Sequence, residues 1–138
     1  LHSFPTRRSS DLEINVLTHS QKQSKMRPNS KIYISGPISG LSRREYMSRF
    51  ADVEEMLRVR GYKVCKPTRL LPCRWAWVYP LMECLLGKAL AYRLTLAYDL
   101  RNLRRCDGIL MMWGHGKSRG ARLERLQAHR WRIKKITF

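Results

Sequence analysis

The stretch "DGILMMWGHGKSRGARLE", residues 107–124, decides the fold. "DGILMMW" (107–113) is a continuous apolar run after its acid, as expected for a strand buried on both faces. "GHGKSRG" (114–120) carries three glycines and reads as a loop. A helix is expected over 120–131, with a closing strand in "IKKITF" (133–138). Buried strand, glycine-rich turn, helix and strand together make one unit of a parallel sheet.

The same alternation continues toward the N-terminus. "KIYI" (31–34) reads as a strand that runs into the tight loop "SGPISG" (35–40). Ser42 and Glu45 form a capping box, and Tyr46, Phe50, Val53 and Leu57 follow at helical spacing. Gly61 suits the end of that helix. "YKVCK" (62–66) reads as a second strand, stopped by Pro67, and 68–87 as a loop with a short apolar helix, read first as a cover for the sheet, with a lid or a dimer surface as the alternatives. From Lys88 to Arg105, a stripe of Leu94, Ala97, Leu100 and Leu103 predicts another amphipathic helix. The expected architecture is α/β: a single-domain, three-layer αβα sandwich on a parallel, flavodoxin- or Rossmann-like sheet of four to five strands. Ligands of such sheets bind at the carboxyl ends of the strands, where "SGPISG" and "GHGKSRG" fall.

Residues 1–25 are set apart. "HSFPTRRSSDL" resembles what a sequencing-library adaptor encodes in one reading frame, and the polar run after it has no periodicity. That leader is expected to be foreign to the fold and disordered, with the domain over 26–138.

Across the 138 residues, 28 Lys and Arg face 10 Asp and Glu, a net charge of +18. Residues 31–138 hold 23 of those cations and 8 of the acids, so the basic character belongs to the domain and points to anionic ligands. The four cysteines, Cys65, Cys73, Cys84 and Cys106, show neither a C-x-x-C pair nor a histidine at zinc-site spacing. Free thiols, a cytoplasmic setting and no metal are the expectation. The most apolar stretch is broken by Pro80, Glu83, Gly87 and Lys88, which argues against a membrane span.

The chemistry concentrates at the start of the 120–131 helix. Free N–H groups and the helix dipole favour an anion there, Ser118 adds a hydroxyl, Gly120 permits close approach, and Lys117 and Arg119 flank the turn. Glu124 lies one turn on and leans back over Gly120, where the dipole is expected to keep it ionised. Taken alone, Ser118 and Gly120 read first as ordinary capping, and Glu124 as a partner of Arg122 or Arg125. Asp99, flanked by leucines, is a solvated edge residue or one aimed into a site. Asp107 reads as a structural cap, Tyr33 as core with a hydroxyl in need of a partner, and His115 as solvated.

Four pieces in this order, "KIYISGPISGL", "YDLRNLRRCDGILMM", "SRGARLE" and the closing α-β unit, resemble the nucleoside 2-deoxyribosyltransferase-like superfamily. Within it they are most similar to a family of small, uncharacterised, phage- or prophage-borne proteins. The resemblance implies that Glu124 attacks the anomeric carbon, Asp99 handles the proton of the departing base, and Tyr33 orients Glu124. It implies phosphate binding by Ser118, Arg119 and Gly120, and by Gly36, Ser39 and Gly40 of the first loop. Nucleoside-using relatives carry an acid where Ser118 stands, whereas nucleotide N-glycosidases carry serine, so a (deoxy)nucleoside 5′-monophosphate is the implied substrate. Those glycosidases have Ser and Arg where this chain has Pro37 and Ser39, leaving Arg43 or Arg44 as replacements for the guanidinium. No cofactor is implied, and a dimer is expected.

Two rival readings remain at this stage. A nucleotide sensor of the same fold would bind without turnover. A nucleic-acid-binding protein is the weaker alternative, because the cations are spread over all helices instead of gathered in one stripe.

Overall fold

The computed structural model describes residues 26–67 and 74–137, so the expected leader over 1–25 lies outside the described residues, as do residues 68–73. Strand β1 (Lys31–Ser35) is followed by helix α1 (Arg43–Val59) and strand β2 (Lys63–Cys65). Helices α2 (Arg74–Leu86) and α3 (Lys88–Leu103) come next, then β3 (Gly108–Met111), a single 3-10 turn at His115–Lys117, α4 (Arg119–Arg130) and β4 (Lys134–Ile136). All strand pairs are parallel, in the order β2-β1-β3-β4. This is the expected single-domain α/β sandwich, with four strands among the described residues.

Strand alternation sorts the core into two layers. Ile32 and Ile34 of β1 and Leu110 of β3 point to one face, where they pack with Phe50 and Leu57 of α1. Tyr33 and Ile109 point to the other, against Leu103 of α3, Cys106 and Ala128 of α4. Full burial of each such aliphatic or aromatic side chain stabilises the fold by about 1.5–3 kcal/mol. The capping box forms as read: the Ser42 hydroxyl accepts from the Glu45 N–H, and the Glu45 carboxylate accepts from the Ser42 N–H. Gly61 follows α1 with φ +81°, a left-handed conformation that glycine adopts without steric cost.

Asp107 is structural, as expected, and it clamps two strands. Its carboxylate accepts the Lys31 N–H at 2.7 Å while its own N–H donates to the Lys31 carbonyl at 2.8 Å. β1 and β3 are thereby locked in the register that sets Tyr33 opposite Ile109.

Two expectations about the helices change. In α3, Leu94 and Ala97 are exposed, and the buried positions are Ala91, Asp99 and Leu103. The inward stripe of that helix runs through Tyr92, Thr95, Leu96 and Asp99, at i, i+3, i+4 and i+7, because the space it faces is a cavity and not core. Among the described residues, helix α2 rests chiefly on α3 and not on the sheet, with Leu81, Leu85 and Leu86 exposed. No helix among the described residues is long and apolar enough to cross a membrane.

Candidate active site

At the carboxyl ends of β1 and β3 the chain opens a cavity of about 420 Å³. Its walls come from the first loop (Gly36, Ile38, Ser39), Pro67, the Tyr92–Asp99 stripe of α3, and the start of α4 from Lys117 to Glu124. The topology dictates this position: β1 and β3 are neighbours whose crossover helices leave on opposite faces of the sheet.

Glu124 forms the floor, with only 5% of its surface exposed. Tyr33 donates its hydroxyl to Glu124 Oε1 at 2.8 Å, and Ser35 donates to Oε2 at 2.5 Å. Both donors come from β1 two residues apart, so the pleat aims them at the same face. Glu124 reaches them because its side chain projects back toward the start of its helix. Asp99 lines the same cavity and is 7% exposed. Two carboxylates from different helices thus meet in one pocket, and neither is the solvated edge residue or surface salt-bridge partner that the sequence alone left open.

The electrostatics depart from the sequence reading. The helix dipole was expected to hold Glu124 ionised, but burial pushes its carboxyl up from 4.5 to about 7, and the nearby Asp99 charge pushes the same way. The hydrogen bonds from Ser35 and Tyr33 favour the charged form and limit the rise. Desolvation therefore wins. The physical cause is position: Glu124 sits beyond the first turn, where the dipole has faded and the protein has excluded water. The Tyr33 hydroxyl is held well above its ordinary value, chiefly by burial and then by the Glu124 charge, so it remains a proton donor.

The start of α4 lines the same cavity. Ser118 is the N-cap, with its hydroxyl accepting from the Ala121 N–H at 3.4 Å. Capping and ligand binding are compatible here, since the acceptor lone pair is used and the hydroxyl proton is not. Lys117 and Arg119 line the cavity and are exposed, supplying positive charge at its mouth.

The first loop contributes less than the sequence implied. Ser39 lines the rim. Gly36 lines the wall, but a Cβ there would meet Met112 Sδ at 2.8 Å, so the glycine makes room for Met112 and not for a ligand. Gly40 lies outside the lining, an exposed turn residue with φ +84°. Arg43 and Arg44 are exposed at the start of α1 and do not line the cavity, so neither replaces the missing guanidinium there. His115 is partly buried, its Nδ1 3.0 Å from the Met112 carbonyl, and it braces the loop instead of facing the pocket.

Two residues of the site went unremarked in the sequence. Ser35 was legible by alternation, since any role for Tyr33 against Glu124 extends to the residue two places on. Tyr92 was legible as the position seven residues before Asp99 on a helix. Among the described residues, no three of His, Cys, Asp and Glu cluster at metal-binding range.

The chain belongs to a family described as a domain of unknown function, DUF4406, which matches residues 30–138. No curated protein matches the sequence.

Proposed function

We propose that this protein cleaves the N-glycosidic bond of a (deoxy)nucleoside 5′-monophosphate, using Glu124 as the nucleophile. The observation that carries the reading is Glu124 itself: a buried carboxylate gripped on both oxygens, sharing a cavity with Asp99, a helix N-terminus and two cations. A carboxylate kept at this energetic cost has a use other than stability.

The chemistry balances in two steps. A Glu124 oxygen bonds to the anomeric carbon as the carbon–nitrogen bond breaks, and that electron pair leaves with the base, which receives a proton from Asp99. Water then attacks the same carbon, Asp99 takes up its proton, and the Glu124–sugar bond breaks to release the sugar phosphate. Splitting one difficult displacement into two easier ones is the retaining scheme of two-carboxylate enzymes. Tyr33 and Ser35 hold the nucleophile in place and receive its charge again when the intermediate opens. The phosphate would sit at Ser118–Gly120, between Lys117 and Arg119, where N–H groups and cations converge. Free thiols at Cys65, Cys84 and Cys106 accord with a reducing, cytoplasmic setting.

Chromatographic detection of free base over a panel of nucleoside monophosphates tests this. Release is expected with the wild type and abolished in Glu124→Ala. Binding without release in the wild type would make the protein a nucleotide sensor.

A further inference from the structure

The cavity holds one polar group that the scheme above does not use. Tyr92, on the inward stripe of α3, has a hydroxyl shielded from water and without a hydrogen-bond partner. Buried hydroxyls are almost always paired, and leaving one unpaired costs about 1–3 kcal/mol. A fold that tolerates this at a cavity wall is holding a donor for something that arrives later.

The neighbourhood says what arrives. Tyr92 faces the start of α4 across Gly120. Apart from its chain neighbours and the backbone of α4 itself, the point where Gly120 would carry a Cβ has as its nearest atoms Tyr92 Oη at 3.8 Å and Ser118 Oγ at 3.9 Å. The absent side chain leaves the two hydroxyls facing the same point of the α4 backbone. A shift of about 1 Å from that point brings an oxygen within hydrogen-bonding distance of either. That point belongs to the first turn of α4, and Lys117 and Arg119 line the same cavity, so the oxygen favoured there is anionic.

We propose that Tyr92 is a substrate-binding residue whose hydroxyl, together with Ser118, grips a phosphate oxygen of a nucleoside 5′-monophosphate. The inference rests on the nucleotide-cleaving reading of this site for the identity of the ligand, but it concerns binding and can be tested without turnover. Tyr92 recognises the phosphate, and so separates nucleotides from nucleosides. It leaves the nucleophile untouched.

The test is isothermal titration of Glu124→Gln, which keeps the cavity and lacks the nucleophile, against Glu124→Gln/Tyr92→Phe. The ligands are the four 2′-deoxynucleoside 5′-monophosphates and their unphosphorylated nucleosides. Removal of the hydroxyl is expected to weaken monophosphate binding about tenfold, the loss of one hydrogen bond to a charged group. Nucleoside affinity should be unchanged. The free double variant should melt no lower than its parent, because the hydroxyl it loses had no partner. Equal monophosphate affinity in the two proteins, equal losses for nucleoside and nucleotide, or no nucleotide binding to either would each overturn the proposal. If the phosphate-specific loss appears but the wild type releases no base, Tyr92 keeps its role and the hydrolase does not. Base release with no Tyr92 effect gives the reverse.

Discussion

Tyr33 and Glu124 are 91 residues apart in sequence and 2.8 Å apart in the fold, joined by a buried hydroxyl–carboxylate hydrogen bond. The bond ties the central strand to the last helix and fixes where the carboxylate points. It also defines the energetic problem of the site, because Glu124 must carry charge where water is absent.

That problem makes the carboxylate a liability to the fold. Its folded value of about 7 lies above the ordinary 4.5, so the folded state binds the proton more tightly than the unfolded chain. The cost is absent below pH 4.5, grows as pH rises through that window, and is complete above 7 at roughly 3 kcal/mol. Glu124→Gln should therefore melt higher than the wild type at pH 8, with the gap shrinking at pH 5. Calorimetry at the two values checks it, and a gap independent of pH contradicts it.

The same bond controls the ionisation of the proposed nucleophile. The reactive form carries Glu124 charged and Asp99 protonated, so base release should rise with pH through about 7 and fall once Asp99 also gives up its proton. Tyr33→Phe or Ser35→Ala removes a donor to the charged form, and a lost charge-assisted bond of ~1.5 kcal/mol moves the rising limb upward by about one unit. A pH profile of kcat/KM reads this shift, which a purely structural role for either residue would not produce.

Asp107 offers a contrast, because it supports the sheet without entering the cavity. Asp107→Asn weakens the clamp on the Lys31 N–H and should cost about 1 kcal/mol of stability. Its effect on kcat should be negligible. Urea denaturation alongside a rate assay separates the two effects.

A thiol pair lies in the core layer that holds Tyr33. Cys65, half-buried, is lowered to about 7, chiefly by the neighbouring Cys106 thiol, which is itself pushed upward by the same contact and by burial and donates to the Asn102 carbonyl at 3.3 Å. Alkylation followed by peptide mapping should find Cys65 labelled near neutral pH while Cys106 stays protected. Cys106→Ala should return the Cys65 labelling midpoint toward that of an ordinary thiol.

Much of the architecture was written in local pattern. "KIYI" and "GILM" are strands because β-branched and apolar residues fit a sheet covered on both faces, and α1 is announced by its capping box. What local pattern could not supply was the use made of α3. Its leucines suggested an apolar stripe through Leu94 and Ala97, yet the helix turns a carboxylate and two hydroxyl-bearing residues inward. Periodicity finds a face but does not say whether that face meets core or cavity. Glu124 was legible as a candidate, while its raised pKa depends on burial that only the assembled sheet creates. The same limit applies to Gly36, a loop glycine that proved to be packing against Met112.

The covalent intermediate is the most direct test of the account. Wild-type protein mixed with a cleavable 2′-deoxynucleoside 5′-monophosphate, quenched in acid and digested, should yield a peptide carrying a deoxyribosyl phosphate on Glu124 by mass spectrometry. That adduct should be absent from Glu124→Gln. Base release from the wild type with no adduct on Glu124, or with release undiminished in Glu124→Gln, would contradict the role assigned to the buried carboxylate.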